Sequence, residues 1–282
     1  PHEVARESFR GSVDESPPER SPDACGGTGR CACPAAQVAT ERGVSAETLQ
    51  GRFADLPLDL HIDAEEGSRG IIRGSFPFAP QADGSGASQF VPTFLRPLLS
   101  GSSQWQFELP LREADNALRL NSDLVGTALA LPAPLGKPAE QTANLSLRIG
   151  SDAQAPVRVG VGYDSRIGVD VIVAPEDGGW RATGVHARLG ADAAPAATAG
   201  SFLVDGRVDE MNVPAWIAAL AGSGRGGVAL DSADIEAGRL SWANRVAPAT
   251  HLRYQPVPEG WQINLDGEGA AGTLAWRSAD GG

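Results

Sequence analysis

Apolar residues recur at every second position through much of this chain. Leu145, Leu147 and Ile149 are followed by Val157, Val159, Val161 and Tyr163, and then by Ile167, Val169, Val171 and Val173. A period of two is the side-chain period of a β-strand, so these runs predict three consecutive strands with one apolar face each. The intervening Ser146, Arg148, Arg158, Gly160, Gly168 and Asp170 are polar or small, the mark of an antiparallel sheet with one face turned from water. SDAQAP (151–156), DSR (164–166) and PEDGG (175–179) have the length and residue types of hairpin turns. Leu56, Leu58, Leu60 and Ile62 alternate up to the turn EEGSRG, after which Ile71, Ile72 and Phe76 resume, so a hairpin is expected there. Trp105, Phe107, Leu109 and Leu111 predict a further strand, and the stretch from Trp180 to Leu189 continues the meander. Ile235, Leu240 and Trp242, then Val246, Leu252 and Tyr254, then Trp261, Ile263 and Leu265, and last Leu274 and Trp276 predict four more.

Helical spacing is rare. Val91, Phe94, Leu95, Leu98 and Leu99 within Gln89–Leu99 have it, but Pro92 and Pro97 interrupt it, which predicts a short broken helix over one end of a sheet. Val213, Trp216, Ile217 and Leu220 fall at i, i+3, i+4 and i+7 behind Asn212 as N-cap and Pro214 in the first turn. Gly222 and the SGRGG that follows stop that helix, and ADAAPAATAG (191–200) reads as a small-residue loop. Between Leu118 and Ala139 the inward parity changes, from Leu118 and Leu120 to Leu129 and Leu131. Gly126 is the place for a bulge or bend that re-aims the chain. Pro132, Pro134, Gly136 and Pro138 then force an extended turn.

Composition narrows the picture. With 282 residues the chain can bury a core as one large domain or two smaller ones. Its 35 Gly and 21 Pro signal frequent turns, while 41% apolar residues is too many for disorder. A net charge of −12 repels nucleic acid and anionic membrane surfaces, so a nucleic-acid partner is not expected. No run is long and apolar enough to cross a bilayer as a helix, and the sequence reads as a fragment of a longer protein whose anchor lies outside it. Residues 1–38 are rich in Pro, Arg, Glu, Ser and Gly, with too few large apolar side chains to offset their ordering entropy, and are expected to be disordered.

Reactive chemistry is hard to find. Cys25, Cys31 and Cys33 with His2 match no zinc-module spacing, so no metal is expected. The GSGRGG run (222–227) follows a helix instead of preceding one and lacks the lysine of a phosphate-binding loop. His61, His186 and His251 stand apart from any nucleophile elbow or metal helix and read as ordinary strand residues. Asp205, Asp209 and Glu210 are accounted for by turns and caps. Most of the six tryptophans are expected in the core, with Trp216 plugging a sheet end. The expectation is therefore no enzyme and no cofactor.

Two stretches carry a resemblance. SDLVGTALALPAPLGKPA (122–139) with the strand at 144–149, and FLVDGRVDEMNVPAWIAAL (202–220) with DIEAGRLSW (234–242) and GWQINLDGEGAAGTLAW (260–276), resemble the YhdP family of large AsmA-like proteins of Gram-negative envelopes. The resemblance implies a mainly antiparallel all-β fold, an elongated curled sheet forming a groove with a few short helices. It would span 39–282, with sub-repeats at about 43–190 and 201–282. It also implies a periplasmic segment of an inner-membrane-anchored protein that moves phospholipid between inner and outer membrane. The partners would then be phospholipid acyl chains, with both membranes reached through parts outside this sequence. The groove would be lined by Leu129, Leu131, Leu145, Leu147, Ile149, Val157, Val159, Val161, Ile167, Val169, Val171, Val173, Ile263 and Leu265. A closed β-sandwich serving as a structural or protein-binding module of the envelope is the alternative, because alternation shows which face is dry and not what dries it.

Overall fold

The computed structural model describes residues 38–40, 43–53, 56–65, 69–81, 84–111, 117–150, 156–176, 179–222, 230–242, 245–258 and 260–277. Of the segment 1–38 expected to be disordered, 1–37 with its three cysteines lies outside the described residues, as does 223–229, while Val38 opens a strand.

The expected hairpins form. Strands β1 (Val38–Thr40), β2 (Gly43–Phe53), β3 (Leu56–Glu65) and β4 (Arg69–Phe78) pair antiparallel in sequence order. Next come β5 (Leu99–Gly101), β6 (Ser103–Leu111), β7 (Leu118–Ser122) and β8 (Thr127–Leu129), then β9 (Leu145–Gly150), β10 (Val157–Tyr163), β11 (Ile167–Glu176) and β12 (Gly179–Leu189). The last group is β13 (Phe202–Asn212), helix α1 (Val213–Gly222), β14 (Ser232–Trp242), β15 (Arg245–Val257), β16 (Gly260–Asp266) and β17 (Gly272–Arg277). All but β5 and β8 join one 15-stranded sheet in chain order, mainly antiparallel and not closed into a barrel. β5 and β8 form a separate two-stranded sheet.

Three departures from the expectations have physical causes. The Gln89–Leu99 segment forms two 3₁₀ turns, Gly86–Phe90 and Arg96–Leu98, because prolines remove the donors an α-helix requires. Its aromatics do not seal the sheet: Phe90 and Phe94 are exposed. After Ser122 the chain leaves the large sheet, and at Gly126, with φ 93°, it turns into β8, so the parity change after Leu120 ends in the separate β5–β8 pair. Finally, β12, β13 and β14 run parallel, which hairpins cannot connect. The β12–β13 return packs on the polar face. The positions that Cβ atoms would occupy at Gly162 and Gly168 lie 2.5 Å from the Asp192 oxygen and 2.3 Å from the Ala193 carbonyl carbon, so glycine is required at both. The β13–β14 return begins with α1, whose first turn is capped by Asn212 accepting a hydrogen bond from the Ala215 N–H at 3.1 Å.

Candidate functional site: an apolar sheet face

Cross-strand partners in a sheet project to the same face, so register alone assembles a surface from residues far apart in the chain. One row of partners reads Leu49, Leu60, Gly74, Phe107, Leu120, Leu147, Val161, Val169, Ala187, Val204, Ala233, Tyr254, Ile263 and Leu274, from β2 to β17. No charge interrupts it. At Gly74, the one position without a side chain, the Phe107 ring occupies the space a Cβ would need. A neighbouring row on this face runs Leu118, Ile149, Val159, Val171, Val185 and Phe202, and another runs Leu145, Tyr163, Ile167, Leu189, Gly206, Ile235, Leu252 and Leu265.

The row one residue over, on the opposite face, is Gln50, Asp59, Ser75, Gln106, Asn121, Ser146, Gly162, Gly168, Arg188, Asp205, Asp234, Arg253, Asn264 and Thr273. Every member is polar or glycine. A crevice of about 630 Å³ on this side is lined by side chains such as Ser75, Gln106, Asn121 and Ser146.

Of the fourteen residues expected to line a groove, twelve share the apolar face: Leu145, Leu147, Ile149, Val157, Val159, Val161, Ile167, Val169, Val171, Val173, Ile263 and Leu265. Leu129 and Leu131 do not lie in the large sheet. They belong to a cover, residues 123–143, and pack with Leu145, Leu147 and Ile167 against the buried cluster of Trp105, Leu124, Leu135, Ala143 and Tyr163. The sequence reading missed the alanines and glycines of the rows, Ala187, Gly206 and Ala233, since small residues carry little weight in an alternation count. Their signal was position, two residues from a larger neighbour.

The cover is fastened by polar groups. Lys137, 5% exposed, donates from Nζ to the carbonyls of Leu124 at 2.8 Å and Thr127 at 2.5 Å, and burial lowers its pKa. The Tyr163 hydroxyl donates to the Leu135 carbonyl at 3.1 Å, and burial raises that phenol's pKa. Arg166 lies over the Tyr163 ring and donates to the carbonyls of Pro134 and Gly136. Trp216 of α1 donates its indole N–H to the Ala133 carbonyl at 3.1 Å.

Openness varies along the face. Val157, Val159, Val161, Val169, Val171 and Val173 are partly exposed, with none of them in a buried cluster. Ile263 and Leu265 instead pack against the cluster of Val208, Val213, Ala233, Ile235, Ala237, Leu240, Ala247 and Leu252. The tryptophans also divide: Trp105 is buried against Phe76 and Phe78, Trp216 and Trp261 are half-buried, and Trp180, Trp242 and Trp276 are 61%, 42% and 52% exposed. The expectation that most are core residues is therefore corrected. An indole on a strand satisfies its N–H in water as readily as inside, so aromatic identity does not fix its face.

The three described histidines and their carboxylate partners sit on the polar face. His61 lies 2.8 Å from Asp63, His186 lies 2.9 Å from Asp205, and His251 pairs with Asp234. Arg188 donates to both Asp205 oxygens, at 2.7 and 2.8 Å, and these bonds, helped by His186, bring the Asp205 carboxyl down to about 2. Glu210 pairs with Arg239, and Arg207 with Glu236, across the parallel strands. Asp205 and Glu210 therefore act as cross-strand partners and not as caps. Among the described residues no group of three or more His, Cys, Asp or Glu stands close enough to hold a metal ion. No described helix is long and apolar enough to cross a membrane.

Comparison with protein families matches residues 39–282 to the family described as YhdP protein. No curated protein and no solved structure matches the chain.

Proposed function

From the premise that this chain belongs to the YhdP family of Gram-negative envelope proteins, we propose that it is a periplasmic segment of a lipid conduit whose apolar sheet face carries phospholipid acyl chains between the inner and outer membranes. The observation that carries the reading is the uncharged row from Leu49 to Leu274, which crosses fourteen hydrogen-bonded strands while the adjacent row is polar or glycine throughout. Adjacent strands are ~4.8 Å apart, so such a row is a track running across the strands and not along any one of them. Strands of five to six residues are ~17–20 Å long, enough to cover an acyl chain spanning half of a ~30 Å hydrocarbon core. The partly exposed valines of β10 and β11 offer the acyl chain an apolar surface, and the headgroup stays in water. Movement along such a face requires no bond to be made or broken, hence no catalytic group and no cofactor. The membranes are reached by parts of the protein outside this sequence.

A closed sandwich would need a second sheet over the same face. Among the described residues the second sheet is the two-stranded β5–β8 pair, whose Leu129 packs with the 123–143 cover over Leu145 and Leu147, and it leaves Val157–Val161 partly exposed. The test is a photoactivatable apolar residue at position 159 in native envelopes. Phospholipid capture there, absent when the same probe is placed at Arg158 or Gly160 on the opposite face, is the expected result. Equal capture on both faces, or none at 159, would overturn the conduit reading.

A further inference from the structure

The apolar row changes character where the chain returns from β13 to β14. In β10 and β11 it is built of partly exposed valines, Val161 and Val169. In β12 and β14 it passes to Ala187 and Ala233, 8% and 6% exposed, with the partly exposed Val204 of β13 between them, and at the β17 edge it is open again at Leu274, 42% exposed. Ala187 sits among larger side chains of its own face, Val169, Val185, Leu189 and Val204, whereas Ala233 is buried beneath residues from outside its strand. That cover is formed by the start of α1 and by Leu230. Val213, the first residue of α1, is 8% exposed within the cluster that contains Ala233 and Ile235, and Leu230, just before β14, packs against the same cluster. Both ends of the crossover therefore rest on the apolar face. Parallel strands demand a return across one face of the sheet, and small residues under that return let a helix approach closely.

The helix is fastened from above at a single described polar point. Trp216 reaches away from β14 to the 123–143 cover, where its N–H meets the Ala133 carbonyl, 83 residues away in sequence, at a solvent-accessible position. A hydrogen bond that water can replace contributes modestly. The contacts that seat Val213 are of the kind an acyl chain also supplies.

We propose that α1 is a gate across the apolar face, latched shut by Trp216 on the Ala133 carbonyl, so that acyl chains on β10 and β11 reach β16–β17 only when α1 lifts. This inference rests on the conduit reading above. Its test places the photoactivatable residue at Val159, on the open side, or at Leu274, beyond the helix, in the full-length protein in native envelopes. Lipid capture at 274 relative to 159 is low in the wild type. Trp216→Phe keeps an apolar ring and removes the N–H, and it raises that ratio about fivefold, the shift one hydrogen bond makes in a two-state equilibrium. Trp216→Ala raises it further. Melting curves confirm that both variants fold. Equal capture at 159 and 274 in the wild type would show that α1 is no barrier, and a low ratio unmoved by either folded variant would show a fixed cover; either result overturns the gate. Capture at neither position removes the conduit reading itself, and the gate with it.

Discussion

Asp205 lies between Arg188 and His186 on the polar face, and its carboxyl titrates at about 2 against an ordinary 3.8. A folded-state value below the unfolded one means that the native protein holds the charged form more tightly. The stability so gained is complete above about pH 4 and is lost as pH falls toward 2. Asp205→Asn should therefore cost on the order of 1–2 kcal/mol at pH 7, the full shift being reduced by solvent screening. Urea unfolding between pH 2 and 7 measures it, and the variant should show a flatter acid limb; parallel curves would rule Asp205 out as the source. Lys137 presents the opposite case, a cation 5% exposed and spent on two backbone carbonyls. Lys137→Met keeps the stem and takes the ammonium donor from both carbonyls, of which that of Leu124 still accepts from the Thr127 N–H at 3.1 Å, so a loss of about 1–2 kcal/mol is expected in the same measurement. If Lys137→Met unfolds at the wild-type urea concentration, those carbonyls are satisfied some other way.

At the level of elements, two strands on one apolar face should respond differently to the same charge. Val159 in β10 is partly exposed, so Val159→Asp can keep its carboxylate in water and should cost roughly 1 kcal/mol, within the usual spread for point substitutions. Ile235 in β14 is 7% exposed beneath the crossover, and Ile235→Asp buries a charge with no partner, which should cost several kcal/mol or force protonation. Thermal melting of the pair checks this, and equal losses would mean that the face over β10 is closed as well. The difference between these strands was not legible in the alternation, which assigns Val159 and Ile235 the same inward parity. Burial came from α1, and where a helix lies on a sheet depends on strand direction, which period-two spacing does not encode. Asn212, Pro214 and Gly222 did mark the ends of α1 correctly, because caps are local chemistry.

For the molecule as a whole, the conduit reading predicts that function follows the face and not any reactive group. Replacing His61, His186 and His251 together by Gln alters three polar-face pairs and leaves the apolar row intact. Lipid capture at position 159 in native envelopes should stay within about twofold of wild type, the scatter expected of surface substitutions. A tenfold loss would mean that those side chains take part in transfer.

The sequence by itself determined that this chain is an all-β sheet protein and which strand residues share its apolar face. Twelve of the fourteen expected lining positions share that face, because side-chain direction in a strand is a local property with a fixed period. It also placed the bend at Gly126 and the stop after Leu131, where glycine and proline act on their own backbone. Tertiary structure alone decided that Leu129 and Leu131 cover the sheet instead of flooring it. It also decided that β12, β13 and β14 run parallel, and that the row of apolar residues is continuous from β2 to β17. These are matters of which strand lies beside which and in what register, set by hydrogen bonds between residues distant in sequence. The ion pairs of Arg188 with Asp205 and Arg239 with Glu210 belong to the same class, since they exist only once the parallel register brings those side chains together.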